Sequence, residues 1–164
     1  MDRSISSWKY IGLWRKEEII SDDDFGVFVI LGQDISDPQN NLYIINGKGL
    51  DNLGPFEVNG KLNENRDALM LNKKYLPDAR ADVLRNIRID AKKIQDYFAG
   101  QWEGTRIDGS RITGQISLRD LSALRSIRYF EDQNPEMELL KAHATLLEKR
   151  IIELRKEFPF APPV

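Results

Sequence analysis

Alternating apolar and polar residues dominate the first two thirds of the chain, and this period of two predicts β-strands. In residues 5–17, Trp8, Tyr10, Gly12 and Trp14 share one parity and therefore one face of an extended segment. Similar segments follow at 25–32, 42–46, 54–62 and 67–75. The first of these, FGVFVILG, is a continuous apolar run typical of a buried strand.

A later pair of segments predicts a long hairpin. Residues 92–107 run out, residues 111–120 run back, and Asp108-Gly109 lies between them, a dipeptide typical of tight hairpin turns. The alternation predicts seven or eight strands in all.

Residues 76–92 interrupt this alternation. Val83, Leu84 and Ile87 recur at helical spacing, after Pro77, a residue that the first turn of a helix accepts. We interpret 76–92 as a short helix or loop inserted between two strands.

From about residue 120 the apolar period becomes helical. A heptad pattern with steps of three and four runs through Met137, Leu140, Ala144, Leu147, Ile151, Leu154 and Phe158. Such an apolar face is too large to leave in water. It must pack either on another chain, as in a coiled coil, or on the chain's own barrel, and we prefer another chain. Three prolines predict that residues 159–164 are extended.

The glycine-rich stretch at 42–62 could be a phosphate-binding loop or the turn chemistry of a β-barrel. A dinucleotide-binding GxGxxG loop opens a helix, whereas Gly54 precedes a Pro and another alternating strand. The P-loop signature GK[ST] does not occur in the sequence. We therefore interpret five residues as turn and barrel-corner glycines: Gly47, Gly49, Gly54, Gly60 and Gly109.

Composition narrows the function classes. The chain of 164 residues has 26 acidic and 24 basic side chains and no cysteine. Disulfides, thiolate zinc sites and cysteine nucleophiles are therefore excluded, and the lack of a basic excess argues against a nucleic-acid partner. We see no signal peptide and no apolar run long enough to span a membrane. We expect an intracellular, cytoplasmic protein.

Several ordered motifs resemble those of a small antiparallel barrel family found in many eukaryotic proteins of uncertain function. They are G-x-G-x-D-x-x-G-x-F-x-V-x-G at 47–60, L-x-L-x-K-x-Y at 69–75, W-x-G at 102–104 and I-x-G-x-I at 112–116. The resemblance implies a calycin-like meander barrel. Gly12-Leu13-Trp14 also resembles the G-x-W of a calycin first strand. In calycins this Trp packs under a basic residue from the end of the last strand, which implies that role for Arg119.

The expected fold is therefore mainly β. An antiparallel meander barrel occupies residues 1–119, a helical segment 120–158 and a Pro-rich tail 159–164. An eight-stranded barrel is either filled by its side chains or holds one small ligand. The residues that would fill it or line a ligand pocket are Trp8, Tyr10, Trp14, Phe56, Phe98 and Trp102.

Candidate chemistry is sparse. His143, the only histidine, lies in the helical segment without evident partners, and the adjacent carboxylates Asp22, Asp23 and Asp24 are more typical of a solvated turn than of a calcium loop. Asp51 is either a catalytic carboxylate or, as we prefer, the acceptor of an Asx turn. We expect no catalytic residue, metal or cofactor.

Three functions remain, and we prefer a non-enzymatic interaction protein. In that hypothesis the barrel is a rigid module, and the heptad face docks to a protein partner in a homo-oligomer or a larger complex. The alternative is a lipocalin-like carrier of a small apolar ligand. An enzyme that uses Asp51 or Glu57 ranks last.

Overall fold

The computed structural model describes residues 5–18, 24–77, 79, 83–121 and 135–157. Within them the strands are β1 (Ile5–Lys16), β2 (Phe25–Asp37), β3 (Leu42–Asp51), β4 (Gly54–Asn63), β5 (Ala68–Tyr75), β6 (Val83–Ile94), β7 (Tyr97–Arg106) and β8 (Arg111–Asp120). Two helices follow, α1 (Pro135–Ala142) and α2 (Ala144–Glu157).

The strands form a closed antiparallel meander barrel. Each strand pairs with the next along the chain, and β8 returns to pair with β1. In the closing ladder Trp14 lies opposite Ile116 and Gly12 opposite Leu118. The expected barrel architecture is confirmed, with eight strands. Closure pairs residues 10–16 of β1 with β8 and so covers most of an edge that would otherwise be exposed, and exposed edges are a common site of aggregation.

The barrel is filled from the inward-facing parity of its strands. Phe28, Phe56, Ile45, Leu71 and Leu118 are all at most 1% exposed and belong to this inner core. On β3 and β4 such inward residues alternate with more exposed ones, which is the physical source of the period of two in the sequence.

A second apolar core lies outside the barrel wall. The outward residues Ile11 and Leu13 of β1 and Val27, Val29 and Leu31 of β2 are buried against the C-terminal helices. This packing explains the continuous apolar run at 25–32, since β2 is covered on both faces.

The predicted helix or loop at 76–92 is wrong for residues 83–92, which belong to β6. Ile87, Ile89 and Ala91 are buried at a period of two, whereas the pairing with β7 shifts register between Leu84 and Arg88. The shift amounts to two residues, since Leu84 lies opposite Thr105 and Arg88 opposite Glu103, so the parity of the strand is kept. Leu84 therefore shares the parity of the exposed Arg88, and this apolar residue beside Val83 made the spacing look helical.

Two further boundaries differ from the sequence prediction. The strand predicted over 92–107 is divided by a turn at Gln95, which has a positive φ of 58°, so its first residues end β6 and the rest form β7. The expected helical segment includes Asp120, but this residue ends β8. Residues 122–134 of that segment, together with the tail at 159–164, lie outside the described residues.

Only two of the five predicted turn glycines have positive φ: Gly54 at 135° and Gly109 at 87°. Gly47, Gly49 and Gly60 lie within β3 and β4 instead, so their assignment to turns is wrong. A Cβ on Gly49 would lie 2.2 Å from the Phe56 ring, and one on Gly60 would lie 1.9 Å from a backbone carbonyl of β5. These strand glycines provide room for large neighbours and for close backbone approach.

Candidate functional site

The six predicted interior residues meet in one aromatic core. Trp8, Trp14, Phe56, Phe98 and Trp102 are buried, and Tyr10 is half-buried against them. The Trp14 and Trp102 rings pack edge to face with centroids 6.0 Å apart, and the Trp102 indole N–H donates to the Arg15 carbonyl at 3.1 Å. The sequence prediction of an inward aromatic set is confirmed.

Little room remains among these side chains. An internal space of about 30 Å³ lies beside Trp14, Lys73, Tyr75 and Trp102. Small-molecule sites have volumes of roughly 300–1,000 Å³, whereas this space matches one or two water molecules. An apolar ligand of a few hundred daltons would not fit there without repacking of the core.

A polar cluster borders this space, at the end of the barrel where β3 turns into β4. The Lys73 ammonium donates to Asp51 Oδ2 and to the Tyr75 hydroxyl, each at 2.8 Å. The Tyr75 hydroxyl also donates to Asp51 Oδ2. The side chains of Lys73 and Asp51 are 7% and 0% exposed, so this ion pair is buried inside the barrel.

Aromatic rings surround the lysine. The Lys73 ammonium lies 4.3 Å from the Phe56 ring centroid and 4.4 Å from that of Tyr75, within the range of cation–π attraction. Burial lowers the pKa of Lys73, and Asp51 opposes this effect. Burial and the Asp51 charge both raise the pKa of Tyr75, so its hydroxyl keeps its proton.

Asp51 also performs the turn role that the sequence predicts. Its other oxygen, Oδ1, accepts from the backbone N–H groups of Leu53 at 2.8 Å and Gly54 at 3.1 Å, which confirms the Asx turn. One carboxylate thus shapes the β3–β4 turn and holds β5 to it. We call Asp51, Lys73 and Tyr75 the clamp. The charge of Asp51 is balanced by the ammonium of Lys73, and the Tyr75 hydroxyl donates its proton to Asp51, so the cluster has a structural form.

Sequence reasoning missed Lys73 and Tyr75 as partners of Asp51. The signal was present, because Lys73 shares the inward parity of Leu69, Leu71 and Tyr75 in the L-x-L-x-K-x-Y motif. A lysine on an apolar strand face requires an acidic partner, and the G-x-G-x-D motif of the adjoining hairpin supplies it. The two separately noted motifs therefore meet in this cluster.

The role that the calycin resemblance implied for Arg119 is wrong. The Lys73 ammonium lies 5.8 Å from the centroid of the Trp14 ring. Arg119 has the outward parity of β8 and lies 4.1 Å from the Tyr97 ring, and it pairs in register with Ile11 rather than with Trp14. A buried lysine on a middle strand occupies the place expected for the terminal arginine.

The opposite end of the barrel, where β2 turns into β3, has its own ion pair. Arg66 donates to Asp34 at 2.9 Å, and its guanidinium stacks 3.9 Å from the Tyr43 ring centroid. Asp34 is 2% exposed. Burial, Asp120 and Asp34 together raise the pKa of nearby Tyr10 to about 12.

The predicted partner-binding face lies against the chain's own barrel. The described members of the heptad pattern are buried in the outer core: Leu140, Ala144, Leu147, Ile151 and Leu154. Arg150 adds a hydrogen bond to the Val27 carbonyl at 2.5 Å. The structure thus corrects our preference for another chain, because the outer faces of β1 and β2 offer the apolar area that this helix needs. The Met137 side chain and Phe158 lie outside the described residues.

The outer wall of β4–β8 forms a shallow groove of about 1,000 Å³, lined by Lys61, Arg88, Lys92 and Arg111 among other residues. Ala68 of β5 and Ala99 of β7 lie opposite Lys92 of β6 in the sheet. Their short outward side chains form a floor that lies below the longer side chains of this wall. The groove arises because small residues alternate with long charged ones on this wall. Sequence reasoning missed it, since no single strand contains the pattern.

The remaining candidate residues do not assemble a site. His143 is the residue between α1 and α2 along the chain, and its Nδ1 lies 2.8 Å from the Leu139 carbonyl oxygen. Asp24 pairs with Lys16 at 3.0 Å, whereas Asp22 and Asp23 lie outside the described residues. Glu57 is exposed on the outer wall and does not face buried Asp51. Within the described ranges, no group of three or more His, Asp or Glu residues could hold a metal ion.

The helices of the described chain are too short or too polar to cross a membrane. No protein family, curated protein or solved structure matches the sequence or the fold of this chain. The barrel is the part of the expected resemblance that the structure supports.

Proposed function

We propose that this protein is a non-enzymatic binding module, an accessory subunit that works through the outer surface of a rigid barrel. The packed interior is the observation that supports this proposal most strongly. Aromatic side chains and the Asp51–Lys73–Tyr75 clamp occupy the volume that a carrier or an enzyme of this architecture would leave for its ligand.

The helices have a different place in this proposal from the one that the sequence suggested. They complete the fold by covering the apolar outer faces of β1 and β2. A partner would therefore meet the barrel wall that the described helices leave uncovered. A closed barrel with ion pairs near both ends is a suitable support, because a rigid surface loses little entropy on binding.

The size of the complex that contains this chain, measured in non-denaturing extracts of the source cells, tests this function. After mild crosslinking we expect the chain to migrate well above its own 18.9 kDa, in a complex of defined stoichiometry. The crosslinks should map to lysines of the barrel wall rather than to the covered helix face. A chain that stays monomeric at native concentration would contradict the proposal.

Native mass spectrometry of the purified chain tests the carrier hypothesis separately. We expect the bare mass of 18.9 kDa, because a space of about 30 Å³ cannot hold a ligand of a few hundred daltons. A protein that retained such an added mass, and lost it on unfolding, would favour the carrier.

A further inference from the structure

The groove on β4–β8 has a charge opposite to that of the whole chain. Its lining contains five basic residues and two acidic ones, although the chain has a net charge of −2. Both acids are neutralised in place, since Arg88 pairs with Asp90 at 2.9 Å and Arg111 pairs with Glu103.

Three cations remain after this pairing: Lys61, Lys92 and Lys93. They have no ion-pair partner among the described residues. Lys61 and Lys92 project outward from β4 and β6, with Met70 of β5 opposite Lys61 in the ladder. Met70, Ala68 and Ala99 are half-buried and give the floor between the cations an apolar character.

We propose that this groove binds an acidic segment of a partner protein, with carboxylates on Lys61 and Lys92 and an apolar side chain on the floor between them. This inference rests on the proposed function and assigns its surface. Complementary charge around a short apolar floor is the usual arrangement of a peptide-binding interface.

A nucleic acid fits this groove less well. Proteins that bind single strands stack the bases on exposed aromatic rings. The aromatic residue among those lining this groove is Trp102, which is only 6% exposed.

Fluorescence anisotropy with a labelled peptide of six Glu and two Leu residues tests the inference. The charge reversal Lys61→Glu with Lys92→Glu is compared with Lys141→Glu plus Lys149→Glu, a control on the exposed helix surface with the same change in net charge. We expect the groove variant to weaken binding about tenfold or more, and the control by less than about twofold. All four lysines are exposed, and circular dichroism verifies that both variants fold.

Three results would overturn the proposal. The wild-type chain does not bind the peptide, the two variants weaken binding equally, or a ten-nucleotide oligothymidylate binds to the groove more tightly than the peptide does. The same variants then enter the crosslinking assay in source cells. If the groove variant still joins the complex, the groove assignment fails and the subunit function survives. If the wild-type chain joins no complex, the function itself fails.

Discussion

Replacing Lys73 with Met should destabilise the protein strongly, although the two side chains have similar length. The substitution leaves the Asp51 carboxylate buried at 0% exposure, without its cation. Removing one partner of a buried pair typically costs about 3–5 kcal/mol of unfolding free energy. Asp51→Asn should cost a comparable amount, because it leaves the ammonium of Lys73 without a negative partner and directs amide protons towards it.

The double variant should be much more stable than the sum of these costs predicts. Burial lowers the pKa of Lys73 in spite of Asp51, so the folded state bears a cost for the protonated lysine that a methionine removes. The carbonyl of an asparagine at position 51 can still accept from Leu53 and Gly54, while its amide donates to the Tyr75 hydroxyl. We expect the double variant to lie within about 2 kcal/mol of the wild type.

Urea unfolding at pH 7, followed by tryptophan fluorescence and circular dichroism, supplies the four free energies of this cycle. Together they give a coupling energy of several kcal/mol between the two sites if the clamp is what the geometry indicates. Additive losses in the double variant would refute the reasoning. So would a Lys73→Met variant within about 1 kcal/mol of the wild type, since the remaining donors to Asp51 are neutral and leave its buried charge without a cation.

Three further measurements test other parts of the fold. Leu147 is 0% exposed, and Leu147→Ala should cost about 2–5 kcal/mol of the unfolding free energy measured in urea. Leu146 is 38% exposed, and Leu146→Ala should cost less than about 1 kcal/mol. Equal costs would mean that α2 does not pack on the barrel. The pKa of Tyr10 is raised to about 12 in the folded chain, so near pH 10 the unfolded chain releases this proton while the folded chain retains it. The stability that Tyr10 contributes should therefore be full below pH 10 and fall as the pH rises towards 12. Tyr10→Phe should reduce that slope in urea titrations, and an unchanged slope would exclude Tyr10 as its source. Gly60→Ala should cost about 3 kcal/mol or more of unfolding free energy, because its Cβ would meet a backbone carbonyl. Gly109 has open space around it, so Gly109→Ala should cost only the roughly 1–2 kcal/mol of its positive φ. The reverse order of the two variants in thermal melts would contradict this account.

The sequence by itself determined the local periods of this protein. Alternation in β1 and β8, the turn at Asp108-Gly109 and the heptad pattern of the C-terminal segment all predicted elements that the structure contains. These features are readable because a strand or helix imposes its own geometry on neighbouring residues, so the pattern is complete within one segment. The strand β6 escaped notice because Leu84 is an apolar residue at the parity of the exposed Arg88, which hides the alternation in the sequence.

Only the tertiary structure decided what each pattern faces. A heptad face requires an apolar surface but does not specify one, and the outer faces of β1 and β2 supplied it. The clamp joins residue 51 of β3 to residues 73 and 75 of β5, so its geometry exists only once β3, β4 and β5 have paired. The volume of the interior is likewise set by side chains that arrive from all eight strands, and no segment of the sequence contains that sum.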